Sequence, residues 1–274
     1  MTATLPRRIV SEFLGTGFLV AAVVGSGIMA ERLAAGNVAI ALLANTIATG
    51  AALVALILTF GPISGAHFNP AVTVMDAIER GLTWRDAGRY IAAQCLGGIG
   101  GTIAAHLMFG LPLVSISRHV RSGSAHHFSE FVATFGLLAV IWGCSRRRSE
   151  MVPIAVGAYI TAAYWYTAST SFANPAVTMA RCLTDTFAGI RPGDVPGFVV
   201  AQLLGAAAAT IVFRACSQSR TSSRKRSRAS RLGAGSLASR RDHFRRRYLG
   251  CRTPPRSSVP PGIRNREPKI SEAQ

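Results

Sequence analysis

Two five-residue segments of this chain are identical: Asn69-Pro70-Ala71-Val72-Thr73 and Asn174-Pro175-Ala176-Val177-Thr178. Asn is a preferred helix N-cap, and Pro at the next position has a pre-set φ and lacks the amide hydrogen that a first helical turn leaves unpaired. Each segment follows a small-residue loop, Gly65-Ala66-His67-Phe68 or Thr170-Ser171-Phe172-Ala173, and precedes an apolar stretch too short to cross a bilayer. That pattern predicts two re-entrant half-helices. If both start at a membrane midplane, their positive ends, each equivalent to about half an elementary charge, oppose protons and other cations. The amides of Asn69 and Asn174 can then donate to a passing oxygen, while carbonyls at Gly65, Ala66, His67, Thr170 and Phe172 accept along the route. Such a lining suits a small neutral hydroxylated solute.

The elements that must position these motifs are membrane spans. The chain is 49% hydrophobic and 15% charged, with apolar blocks separated by short charged segments. A spanning helix needs about 20 mostly apolar residues. Six candidates lie at roughly 9–31, 38–60, 87–109, 129–145, 151–170 and 196–213. The same features occur twice: Ser11-Glu12-Phe13 and Ser129-Glu130-Phe131, the two Asn-Pro-Ala segments, and Ala93-Gln94 with Leu96-Gly97 against Ala201-Gln202 with Leu204-Gly205. Three spans per half is an odd number, so the second half is inverted relative to the first. Inverted repeats place their working site near the midplane, where discontinuous helices meet. The expected fold is an all-α membrane protein of six transmembrane helices plus two half-helices.

The formal charge of +18 points first to a polyanion partner, but 16 of the 30 Lys and Arg, against 3 acids, lie in 220–274. The basicity belongs to a Ser-, Arg-, Pro- and Gly-rich tail that predicts disorder. The chain thus divides into a channel-like domain, 1–216 (halves 9–109 and 127–214), and a tail, 217–274. A tail that attracts anionic lipid or nucleic acid is a separate hypothesis; with Phe244 and Tyr248 as its aromatics, specific nucleic-acid binding is not expected. Arg7, Arg8, Arg80, Arg85, Arg89, Arg146 to Arg148 and the tail fall on one side of a six-span topology, with Arg118 and Arg121 opposite, so both termini are expected in the cytoplasm. Arg7 and Arg8 precede an apolar run that contains Glu12, which reads as a retained first span.

Little else here suggests reactive chemistry. The cysteines Cys95, Cys144, Cys182, Cys216 and Cys251 are scattered, without metal-ligand spacing. No metal, cofactor or catalytic residue is expected. A membrane enzyme would need a cluster of acids, bases or ligands, and the intramembrane acids are Glu12 and Glu130. Buried acids can hold loop amides, and bracing the loops is the favoured role for both. His67 reads as loop packing beside the lumen, His126 and His127 as the start of the fourth span, and Gly97 with Gly101 as close helix packing.

The two motifs in their repeat resemble the aquaporin and aquaglyceroporin family over about residues 9–214, through Ser64-Gly65-Ala66-His67-Phe68-Asn69-Pro70-Ala71-Val72-Thr73 and its second-half partner. The resemblance implies a passive channel, one pore per subunit, a homotetramer and a multi-pass place in the cell membrane. Counting by the family's usual offsets puts the selectivity filter at Thr49, Ala162, Ser171 and Val177, none of them aromatic. The family usually has Arg where this chain has Val177, and Arg181 lies one turn further on. A wide neutral filter is therefore expected. Val at this position resembles aquaglyceroporins of bacterial arsenic-resistance operons, which implies arsenite or methylated arsenicals across a bacterial inner membrane. A glycerol facilitator and a water pore remain open alternatives.

Overall fold

The computed structural model describes residues 3–216, and every regular element among them is helical. The basic segment 217–274, expected to be disordered, lies outside the described residues. The first half comprises α1 (Leu5–Leu33), α2 (Val38–Ser64), a short α3 (Pro70–Ile78) and α4 (Trp84–Met108). The second comprises α5 (Ser124–Ser145), α6 (Val152–Tyr166), a short α7 (Pro175–Arg181) and α8 (195–216), which a 3₁₀ turn, Pro192–Asp194, precedes. The two halves thus repeat one order of elements.

Five of these helices, counting Pro192–Cys216 as one, are long and apolar enough to cross a membrane. The sixth expected span, 151–170, is shorter than its apolar run: α6 has 15 residues and ends at Tyr166. At 1.5 Å per residue that is about 22 Å. A 3₁₀ turn, Ser149–Met151, lengthens it at one end. Beyond Tyr166 the chain leaves the helix and turns back toward the membrane interior.

Several helix starts have local causes in side chains. Asn37 accepts from the amides of Ala39 and Ile40 at 3.1 and 3.2 Å, and Thr83 accepts from Asp86 at 3.1 Å. Gly65, in the left-handed region at φ +89°, terminates α2. The burial pattern is the inverse of a water-soluble bundle. Large apolar side chains such as Phe18, Leu96, Phe128 and Ile211 are exposed, whereas Glu12, Gln94, Thr102, Glu130 and Gln202 are buried. In lipid an unpaired polar group is costly, so polar side chains turn inward and find partners there.

The halves are joined at both membrane faces. At the face where α8 ends, Arg214 pairs with Glu79 and donates to Ile78 O at 2.9 Å, closing on the end of α3. At the opposite face the connection 109–123 lies along 182–191, with Ser115 N to Leu183 O at 3.0 Å and Ser117 N to Cys182 O at 2.9 Å. His106 is buried between them, 2.6 Å from Pro112 O and 2.7 Å from Thr184 Oγ1. The neutral tautomer with hydrogen on Nδ1 satisfies both contacts, donating to the carbonyl and accepting from the hydroxyl.

Candidate functional site

The two Asn-Pro-Ala segments start α3 and α7, as their types predict. Asn69 Oδ1 accepts from Ala71 N at 2.9 Å, and Asn174 Oδ1 accepts from Ala176 N and Val177 N at 3.0 and 3.3 Å. The half-helices meet. Asn69 Nδ2 donates to Ala173 O at 2.7 Å, and Asn174 Nδ2 donates to Phe68 O at 2.8 Å. One amide hydrogen of each Asn is thus spent tying the halves together, which the sequence alone did not suggest. The second remains for the lumen, since both side chains line the cavity between the halves.

Both loops are held by their glutamates. Glu12 accepts from His67 N at 3.0 Å, Phe68 N at 2.7 Å, Ser64 Oγ at 2.6 Å and Gln94 Nε2 at 2.7 Å. Glu130 accepts from Phe172 N and Ala173 N, both at 2.9 Å, and from Gln202 Nε2 at 2.6 Å. Gln94 and Gln202, noticed in the sequence only as a repeated pair, hold each carboxylate and also donate to Thr73 and Thr178. These are the partners that a buried carboxylate requires.

This bracing also aims the carbonyls. In a trans peptide the C=O of one residue is antiparallel to the N–H of the next. Amides of His67 and Phe68 that point at Glu12 therefore turn the carbonyls of Ala66 and His67 the other way, toward the cavity that these residues line. The same reasoning aims Ser171 and Phe172. The geometry requires positive φ at Ala66 (49°), Phe68 (48°), Thr170 (60°), Ser171 (48°) and Ala173 (47°). Each such residue costs of order 1 kcal/mol or more, a strain the glutamate bonds must offset. Gly65 also lines the cavity, but Thr170, expected among the lining residues, does not; its hydroxyl lies 3.5 Å from Arg121 Nη1.

The cavity has a volume of about 260 Å³ and an apolar wall from residues such as Leu53, Val72, Leu137 and Val156. Thr49, Ser171 and Val177 line it. Ala162 does not: it is exposed on the outer side of α6, and Ile160 and Tyr164 face the lumen instead. The physical reason is helical phase. At 100° per residue, a two-residue difference in loop length turns the named position to nearly the opposite side. An aromatic side chain thus lies on this wall, for Tyr164 is buried beside the lumen with its hydroxyl 3.4 Å from Thr49 Oγ1.

Other site residues were not legible in sequence. Arg121, counted only as a basic residue of the outer side, reaches in from the connection to donate to Gly189 O at 2.8 Å and Phe187 O at 3.3 Å. Burial holds its pKa below the ordinary arginine value, and the charge of Glu130 opposes that shift. His67 lines the cavity with Nδ1 3.1 Å from Thr73 Oγ1 and Nε2 3.9 Å from Asp76. Asp76 comes near because it is three residues beyond Thr73 on one face of α3.

Comparison with known proteins agrees with this geometry. The sequence model of the family described as "Major intrinsic protein" matches residues 1–171 and 146–239. An aquaglyceroporin of Rhizobium meliloti (strain 1021), AqpS, is 60% identical over 210 residues, covering 77% of this chain and 90% of that protein. Aquaporin NIP3-1 of Oryza sativa subsp. japonica is 33% identical over 164 residues, covering 58% of this chain and 52% of that protein. Among solved structures, the aquaglyceroporin from Plasmodium falciparum superposes with a TM-score of 0.59 at 20% identity, covering 77% of this chain and 94% of that one, a likeness of fold. With two half-helices meeting at paired Asn-Pro-Ala starts inside an inverted repeat, the chain belongs to the major intrinsic protein family of membrane channels.

Proposed function

We propose that the protein is a passive channel for small uncharged hydroxylated solutes, namely glycerol-like polyols together with arsenite and methylated arsenicals. The observation that carries this reading is Val177 on the cavity wall, one residue beyond the second Asn-Pro-Ala, where a charged side chain would narrow the lumen. The lumen lining is of two kinds: apolar side chains accommodate a carbon or arsenic face, while Asn amides and loop carbonyls exchange hydrogen bonds with hydroxyls. At neutral pH arsenite is an uncharged trihydroxide, so the half-helix dipoles do not repel it. The similar R. meliloti protein is named an aquaglyceroporin, which favours polyol-sized solutes over water alone. The native setting is a bacterial inner membrane, with both termini cytoplasmic and a homotetramer as the working assembly.

The test is stopped-flow flux in vesicles holding the purified protein, comparing water, glycerol, arsenite and methylarsenite. The parent is expected to pass all four. Val177→Arg should curb the arsenicals and glycerol more than water, because the added side chain narrows the ring and supplies a donor that holds hydroxyls. A parent that passes only water, with flux unaltered by Arg at 177, would remove the solute assignment.

Tyr164 adds a second expectation. Its side chain is buried on the α6 wall of the lumen beside Thr49, so Tyr164→Ala should raise the flux of a four-carbon polyol relative to glycerol severalfold. An unchanged ratio would mean that α6 does not set the aperture.

A further inference from the structure

Val177 leaves the ring beside Asn174 without a charge, yet a charge remains in the lumen. Arg181 lies four residues further along α7, about 6 Å of rise toward the face of the 109–123 connection. It lines the same cavity as Val177 and Asn174 while only 2% exposed. Its Nε donates to Ala188 O, and its Cζ lies 3.4 Å from the centroid of the Phe172 ring. Arg121 approaches the same ring at 5.1 Å. The two cations are used differently. Arg121 spends its nitrogens on the carbonyls of Gly189 and Phe187 and faces Ser169 O and Thr170 Oγ1 at 3.5 Å.

The terminal nitrogens of Arg181 have no hydrogen-bond partner among the described residues. Nor does a carboxylate among the described residues form an ion pair with it, and both oxygens of Glu130 are taken by loop amides and Gln202. A buried guanidinium without a counter-ion is expensive unless oxygens reach it. Lumen contents can supply them. A second buried group points to the same conclusion: Ser171 Oγ, on the cavity wall, also has no hydrogen-bond partner among the described residues.

We infer that Arg181 is the selectivity charge of this channel, displaced one turn outward from the ring at Val177, where it rejects cations and donates to the oxygens of an entering solute. Phe172 is its positioning residue, since stacking on that ring holds the guanidinium on the lumen wall. Displacement separates two tasks: the charge stays in the path while the narrow level beside Asn174 keeps an uncharged side chain. The inference rests on the channel reading above and deepens it.

The experiment uses the full chain in proteoliposomes. A proton leak under an imposed potassium diffusion potential is read with an entrapped pH dye and divided by the water flux of the same vesicles. Arg181→Met should raise that ratio at least about tenfold, about 1.4 kcal/mol off the barrier. Arg181→Lys, which keeps the charge but loses the planar stack, should leak less than Arg181→Met. The double variant Val177→Arg with Arg181→Met returns a charge one turn inward and should restore tightness. If Arg181→Met does not assemble, Phe172→Leu keeps the arginine but releases it and should also raise the leak. Parental leak ratios in Arg181→Met, or in Phe172→Leu where that variant decides, overturn the inference and leave cation exclusion to the midplane. A parent that conducts water but not glycerol would sink the solute assignment while the leak comparison is still read.

Discussion

Glu130→Ala is expected to abolish solute flux and to lower the melting temperature of the detergent-solubilised protein sharply. The carboxylate accepts from two backbone amides and from Gln202. Hydrogen bonds to a charged group contribute about 1.5–3 kcal/mol each, so three amount to roughly 5–9 kcal/mol. That is as large as the whole stability of many folded domains. The loop they hold is strained at Thr170, Ser171 and Ala173, and once released it relaxes away from positive φ. Relaxation moves Ala173 O, the acceptor of Asn69 Nδ2, and so loosens the meeting of the two half-helices. Glu130→Gln keeps the shape and one acceptor but turns an NH₂ group toward backbone donors, so an intermediate melting temperature is expected. Glycerol flux per protein and a thermal melt check both variants. If Glu130→Ala conducts and melts like the parent, Arg121 and its carbonyl contacts, not the glutamate, hold the second loop.

The motifs that create this site were legible because they are local. Asn-Pro starts a helix by its own chemistry, and Glu12 and Glu130 stand out because a carboxylate inside an apolar span needs an internal partner. The repeat then pairs each glutamate with a loop. What escaped notice depends on phase or on long reach. Ala162 was placed by counting residues, and an α6 that ends at Tyr166 puts Tyr164 at the lumen instead. Arg121 belongs to a connection without periodicity, so its approach to Phe172 could not be read from spacing. Asp76 carries no signal in spacing, because its approach to His67 arises only once the loop and the first turns of α3 are folded together. Phe172 was valued for its carbonyl, whereas its ring carries the arginine. Gln94 and Gln202 had the signal of recurrence but no partner until the fold brought the glutamates across.

Replacing Gly97 and Gly101 together by Ala is expected to prevent assembly of the channel, although Ala is the better helix former. A Cβ at Gly97 would lie 2.2 Å from Phe13 O, and one at Gly101 would lie 2.2 Å from Gly17 O. Both contacts are with α1 backbone, which cannot rotate aside as a side chain can. Overpacking costs about 1–3 kcal/mol per site, against roughly 1 kcal/mol of helix propensity gained. In lipid the balance is harsher, because close approach of small residues is itself what joins two spans. The damage also reaches the lumen. Gln94 is one turn before Gly97 on α4, and Glu12 adjoins Phe13 on α1, so separating these helices by about 1 Å breaks a bond of 2.7 Å that braces the first loop. Gly205 repeats the device, with a Cβ 2.3 Å from Phe131 O beside Glu130, so Gly205→Ala should weaken the second loop in the same way. Gly88→Ala supplies the matched control on α4: no described residue has an atom within 4 Å of its Cβ, and its melting temperature should hold or rise. Melting curves and flux for the four proteins decide it. If the double variant melts with Gly88→Ala, the α1–α4 crossing is not set by glycine contact, and the spacing that holds Glu12 must come from the loops.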